Sequence, residues 1–231
     1  MKNEIFNFEN LESLDSYLCK FIKKEINSAI SYKGFSSIAL SGGMTPLSLY
    51  SKLGKSNIDW SKVHLSLVDE RCVKQNSNLS NESNIIQSFS ISRENFRSFS
   101  SFEVSYKNSR PYLLNNKIKN PTPFDFILLG MGLDGHFASI FPNTKELNNL
   151  LDLSFDEQIS ISKTNDSIPY RVTLTLRSIL ESKKVLLMIQ GEDKVDFLSE
   201  TIRREFSEIQ RPIKKLLDQT KVPIYIFQTS N

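Results

Sequence analysis

Apolar positions along the chain change their period several times, and each change marks an element. Leu11, Leu14, Leu18, Phe21, Ile22, Ile26 and Ile30 recur at helical spacing, which predicts an amphipathic helix from residue 10 to residue 32. Beyond it lie short apolar-rich runs: Phe35 to Leu40, Val63 to Val68, Phe124 to Leu129, Val185 to Ile189 and Val222 to Phe227 read as strands. Thr45-Pro46 ahead of Leu47, Leu49, Tyr50 and Leu53 reads as a helix cap with a first-turn proline. Residues 74 to 84, rich in Asn and Ser, read as a loop, Ile85 onward as a helix, and Asp193 to Ile202 as another. The stretch from Asn143 to Ile168 has no pattern that assigns it. Strands alternating with helices predict an α/β fold, a mainly parallel sheet flanked by helices on both faces. Ligands in such sheets gather at the carboxyl ends of the strands.

Composition adds bounds. A chain of 231 residues buries one full core, so a single domain over 1–231 is expected, with no repeat or linker to divide it. Its 29 basic and 26 acidic residues leave a net charge of +3, spread along the sequence. No basic block tracks a phosphodiester backbone, so nucleic acid is not an expected partner; a small anion is. Cys19 and Cys72 show no paired spacing, which suits a reducing cytoplasmic compartment, and Cys72 reads as a small packing residue. No apolar run approaches the roughly 20 residues of a membrane span, and no signal core opens the chain. Neither a membrane nor an obligate protein partner is expected.

Unusual residues cluster just past the predicted strands. Three of the eight glycines fall in Gly130-Met131-Gly132-Leu133-Asp134-Gly135-His136, beside one of only two histidines. Glycine there permits positive φ and close approach of a ligand to the backbone. His136 is the candidate acid–base group, with Asp134 two residues away to orient its ring or hold a substrate hydroxyl. His64, inside a strand and away from glycine, reads as packing. Ser41-Gly42-Gly43-Met44-Thr45-Pro46 offers N–H groups and hydroxyls at a helix start, suited to a monophosphate, although the same residues make a plain strand-to-helix turn. It lacks the Gly-Lys-Ser/Thr of a nucleotide loop, and Ser41 lacks the nucleophile elbow of serine hydrolases. Asp69-Glu70-Arg71 puts two carboxylates and a guanidinium at the next strand end, either a surface ion cluster or part of the same site. Two histidines argue against a histidine-rich metal centre, so neither metal nor cofactor is expected.

At these motifs the chain resembles the 6-phosphogluconolactonase family and, more distantly, the glucosamine-6-phosphate deaminases. The likeness runs from about residue 35 to the end and rests on segments in fixed order. They are Ser41-Gly42-Gly43 with Thr45-Pro46, Val68-Asp69-Glu70-Arg71-Cys72-Val73 with Ser80-Asn81, the run Leu129 to Pro142, Arg171-Val172-Thr173-Leu174-Thr175, Gly191 with Lys194, and Arg211-Pro212-Ile213. Lys74 and Tyr170 stand where proline is common. The resemblance implies a Rossmann-like, deaminase-like fold and hydrolysis of 6-phosphogluconolactone. It implies His136 as general base beside Asp134, and Ser41, Gly42, Gly43 and Thr45 as phosphate loop supported by Arg71. It also makes Arg171 and Lys194 further anion-binding groups and Asp69 a contact for sugar hydroxyls. Two alternatives remain at this point: an amino-sugar phosphate deaminase, or a sugar-phosphate sensor without turnover. The deaminases carry a carboxylate five residues after the histidine, where Phe141 stands here. A sensor of this kind would be expected to carry a helix-turn-helix, which residues 1 to 34 do not supply.

Overall fold

A computed structural model describes residues 3–74, 77–164 and 166–231. Asn10 starts the first long element: its side chain accepts from Ser13 N at 3.0 Å and its own N–H donates to the Ser13 hydroxyl. This reciprocal cap opens α1 (Leu11–Lys33), and Gly34 at φ +82° ends it. In chain order the elements are β1 (Glu4–Asn7), α1, β2 (Ser36–Leu40), α2 (Leu47–Gly54), β3 (Val63–Leu67), β4 (Asp69–Arg71) and α3 (Asn81–Phe89). Then come β5 (Ser98–Ser100), β6 (Val104–Lys107), β7 (Arg110–Leu113), β8 (Phe126–Leu129), α4 (Leu147–Leu151), β9 (Ile159–Lys163) and β10 (Tyr170–Leu174). The chain ends with α5 (Leu176–Ile179), β11 (Val185–Gln190), α6 (Glu192–Arg203), α7 (Ile213–Asp218) and β12 (Ile224–Thr229).

Among the described residues seven strands form one sheet in the order β1-β12-β11-β8-β2-β3-β5, every pairing parallel. Both faces are covered, which is why β2, β8 and β11 read as buried runs. Alternate residues serve opposite cores. Phe126, Leu128, Leu186 and Met188 pack with α1, α2 and α3, whereas Ile127, Leu129, Leu187 and Ile189 pack with α4, α5, α6 and α7. From β2 the chain moves outward through β3 and β5, then returns to the other side of β2 as β8. The order therefore reverses between β2 and β8, and the crevice beyond their carboxyl ends is where such sheets take ligands.

Several expectations need correction. The strand expected over Val63 to Val68 stops at Leu67, and Asp69–Arg71 is a strand of a second, antiparallel sheet, β4-β10-β9. Pro46 sits at the boundary position of α2 in αR geometry, one residue before the helix proper, and no side chain caps that end, so Thr45 is not a cap. Helix α3 begins at Asn81, inside the expected loop 74–84, because Ser80 caps it and the Glu70 carboxylate accepts from Asn81 N (2.7 Å) and Glu82 N (2.8 Å). Gln75 and Asn76 of that loop lie outside the described residues. The unassigned stretch 143–168 holds α4 and β9. The last strand is shifted to Ile224–Thr229. β1 and the β6–β7 hairpin had no counterpart in the pattern.

Candidate active site

Directly after β2, Ser41 donates its N–H to Leu128 O at 3.1 Å, which joins the loop to the neighbouring strand β8. Its carbonyl accepts from the buried Tyr50 hydroxyl at 2.6 Å. The Ser41 hydroxyl is buried and has no hydrogen-bond partner among the described residues. Gly43 adopts φ +93°, and at Gly42 a Cβ would lie 2.1 Å from the Asn81 side chain. The loop thus passes so close to Asn81 that only glycine fits.

Asn81 is a residue the sequence reading did not assign to the site. Its Oδ1 accepts from Arg71 Nη1 at 2.8 Å and its Nδ2 donates to Asp69 O at 3.0 Å. Arg71 also donates to Leu79 O at 2.9 Å. Glu70 turns the other way: burial pushes its carboxyl up, against hydrogen bonds from Glu82 N, Asn81 N and the Ser80 hydroxyl, and it serves as an anchor for α3. Asp69 accepts from the Ser139 hydroxyl at 2.7 Å. Burial pushes its carboxyl above the usual range, opposed by that hydrogen bond and by the charges of His136, Arg71 and Arg171. Cys72, next along, has its thiol pushed up to about 11 by burial and the charge of Glu70, so it is held neutral.

The second sheet brings the arginines together. In the β4–β10 ladder Arg71 lies directly opposite Arg171. Arg171 is 8% exposed, donates from Nη2 to Asp166 at 3.0 Å, and leaves Nε buried without a partner among the described residues. Lys194, in the first turn of α6 after Gly191 at φ +101°, is perturbed only by burial, which lowers its pKa.

The glycine-rich turn after β8 is built around one ring. His136 Nδ1 lies 2.5 Å from Asp134 Oδ1, and the same oxygen accepts the His136 N–H at 3.1 Å. Burial would raise the Asp134 carboxyl, but the hydrogen bond and charge of His136 outweigh it and hold Asp134 below the usual value. A Cβ on Gly132 would fall 2.2 Å from the imidazole and 2.6 Å from Asp134, so glycine makes room for the pair. Phe141 packs on the imidazole with ring centroids 4.3 Å apart. With Nδ1 committed to Asp134, Nε2 is the ring nitrogen left to act.

These groups line one cleft of about 320 Å³ at the strand-order reversal. Of the ten residues singled out from sequence, nine line it: Ser41, Gly42, Gly43, Thr45, Asp69, Arg71, His136, Arg171 and Lys194. Asp134 does not. It lines a neighbouring cavity on the far side of the imidazole, with its Oδ1 on the ring Nδ1, the geometry of a group that orients the ring. Ser139, Phe141 and Asp166 also line the cleft: Ser139 and Phe141 fall within the Leu129 to Pro142 run of the family likeness, whereas Asp166 enters only through its tertiary contact with Arg171. His64 is outside the cleft, with Nδ1 2.7 Å from the Ser98 hydroxyl and Phe35 packed edge-on against the ring.

The family described as glucosamine-6-phosphate isomerases/6-phosphogluconolactonase matches residues 9–224. The chain belongs to this family. The match includes α1, which the sequence resemblance left out. A 6-phosphogluconolactonase of Rhizobium meliloti is 28% identical over 95% of this chain and 96% of its own length. That of Mesorhizobium japonicum is 31% identical over 89% and 87%. The crystal structure of a 6-phosphogluconolactonase from Shewanella baltica superposes with a TM-score of 0.87 at 28% identity, covering 99% of this chain and 98% of that one. Within an isomerase/lactonase family the contents of the cleft decide between activities, and here an apolar ring, not a carboxylate, covers the imidazole. No helix among the described residues is long and apolar enough to cross a membrane.

Proposed function

We propose that this chain hydrolyses 6-phospho-D-glucono-1,5-lactone to 6-phospho-D-gluconate, the lactone-opening step of the oxidative pentose phosphate pathway. The observation that carries the reading is the His136–Asp134 pair set against one cleft with three cationic side chains, Arg71, Arg171 and Lys194. The phosphate is received by the Ser41-Gly42-Gly43 loop, the Ser41 hydroxyl, Thr45, Arg171 and Lys194, with Arg71 at its side. Both the Ser41 hydroxyl and Arg171 Nε are buried donors or acceptors without a partner among the described residues, and such groups are costly unless a ligand satisfies them.

Asp134 keeps the proton on Nδ1, so Nε2 presents its lone pair to water. His136 takes the water proton as oxygen attacks the lactone carbonyl carbon, giving a tetrahedral oxyanion. Cationic side chains at the cleft stabilise that charge in a partly dehydrated site. The ring C–O bond then breaks, and the imidazolium returns its proton to the departing ring oxygen, leaving the acid, which ionises. Asp69 holds sugar hydroxyls. The two cysteines are unpaired, which fits action in the cytoplasm.

A deaminase reading finds no support at Phe141. The test is loss of freshly generated 6-phosphogluconolactone at several enzyme concentrations against the spontaneous rate, with glucosamine 6-phosphate assayed in parallel. Acceleration proportional to enzyme on the lactone alone supports the proposal; turnover of the amino sugar, or mere binding of 6-phosphogluconate, overturns it.

A further inference from the structure

Of the two arginines and the lysine that line the cleft, Arg171 is the one with a carboxylate ion-pair partner among the described residues. Its side chain is 10% exposed, whereas that of the partner, Asp166, is 58% exposed. Asp166 lies in the connection between β9 and β10, where its N–H donates to the Thr164 hydroxyl at 3.2 Å and Thr164 N donates to Pro169 O at 2.7 Å. The connection is therefore tied at its base, with the carboxylate at the mouth of the cleft. The contact uses one donor, Nη2 to Oδ2 at 3.0 Å, while Nε stays buried and unpartnered among the described residues. A guanidinium normally offers two parallel donors to an oxyanion, so the ion pair is an incomplete use of a fork that a phosphate fills better. Asp166 also lines the adjoining cavity, whose wall includes Lys163 and Lys145, so cations other than Arg171 border the space open to its exposed carboxylate.

We propose that Asp166 is a resident competitor for the phosphate on Arg171. This rests on the reading that Arg171 receives the phosphate of the substrate. An arriving phosphate monoester displaces the carboxylate and gains the Nε–H and Nη2–H donors; as product departs, the carboxylate returns. Asp166 thereby lowers affinity for every phosphorylated ligand, product included, and makes release of 6-phosphogluconate easier. It acts through Arg171 and touches no reacting atom, so it is a specificity and release residue.

The test compares Asp166→Asn, Asp166→Glu and Arg171→Ala with the parent, using inorganic phosphate and 6-phosphogluconate as inhibitors. Asp166→Asn is expected to tighten both inhibition constants about five-fold, the upper end for a partly exposed ion pair. KM for the phosphorylated lactone should fall with them, while KM for unphosphorylated gluconolactone should not move in parallel. Asp166→Glu, which keeps the charge, should lie near the parent, and thermal melts report that each variant is folded. If Arg171→Ala weakens phosphate inhibition but Asp166→Asn leaves it unchanged or weaker, the competitor proposal is wrong and the phosphate reading stands. If Arg171→Ala leaves phosphate inhibition unchanged, the phosphate reading fails and takes the proposal with it.

Discussion

Arg71 and Arg171 face each other as direct cross-strand partners in the β4–β10 ladder. Like charges at such positions cost on the order of 0.2–1 kcal/mol, and the fold accepts that cost at the wall of the cleft. An anion between the two guanidiniums reverses the sign. Arg71→Ala should therefore weaken phosphate-dependent stabilisation more than it changes the unliganded protein, since relief of repulsion offsets the lost bonds to Leu79 and Asn81. Thermal melts across a phosphate titration should show a roughly 10- to 100-fold weaker apparent affinity in the variant, the loss of a charged hydrogen bond. An equal ligand-induced shift in both proteins would rule this out.

Gly132 tests whether the imidazole must sit where it does. Its Cα hydrogen faces the ring, and a methyl group there would lie 2.2 Å from both Cε1 and Nδ1 of His136. Gly132→Ala should displace the ring and break its 2.5 Å contact with Asp134. We expect kcat to fall about 100-fold or more, as expected when an acid–base group is misplaced, with phosphate inhibition retained. Unchanged kcat in a folded Gly132→Ala protein would mean that the ring position is not critical.

The roles of His136 and Asp134 separate by substitution. His136→Asn should lose about 10²- to 10⁴-fold in kcat while still binding 6-phosphogluconate, because the residues proposed to hold the phosphate lie on other elements. Asp134→Asn should lose less, since the amide oxygen can still accept from Nδ1 but supplies no charge to the imidazolium. Single-turnover lactone hydrolysis with calorimetric product binding distinguishes the two steps. A larger loss at Asp134 than at His136 would overturn the assignment of the base.

The parts of the molecule that sequence made legible are those whose signal is local. Buried parallel strands appear as apolar runs, and the residues just past β2 and β8 lie at their carboxyl ends by chain connectivity alone, so the Ser41 loop and the His136 turn fall together. The second sheet was not legible, because Asp69-Glu70-Arg71 has no apolar alternation and is a strand only by pairing with β10. The start of α3 was hidden for a related reason: part of its cap is the distant Glu70 carboxylate, which no window around Ser80 contains. β1 is exposed along three of its four residues and is held by pairing with β12, so its pattern carries almost no burial signal. Asn81 lay within a segment of the family likeness without a role being assigned to it, and Asp166 had no signal at all, because both belong to the cleft through contacts with Arg71 and Arg171 that local pattern does not encode.

Facing α2, Asp15 of α1 is 1% exposed and its Oδ1 has no hydrogen-bond partner among the described residues. Burial pushes its carboxyl up, only partly offset by a hydrogen bond from Ser48 and the charge of Lys52, both on α2. A carboxyl whose pKa is higher folded than unfolded binds its proton more tightly in the native state. Between the unfolded value, near 3.9, and the folded one, the native state holds more protons, so stability falls as pH rises through that window and stays lowered above it. Asp15→Asn removes the ionisation. At pH 8 it should stabilise the protein by about 1 kcal/mol, the lower end of the cost of an unsatisfied buried polar group. For a chain of this size that is a rise in Tm of about 2–4 °C. The gain should shrink as pH falls through the window and the native carboxyl protonates, because the parent then loses its penalty. Melts of both proteins from pH 3.5 to pH 8 give the difference directly; a variant less stable at pH 8 would mean that the ionised carboxylate is a favourable part of the α1–α2 contact.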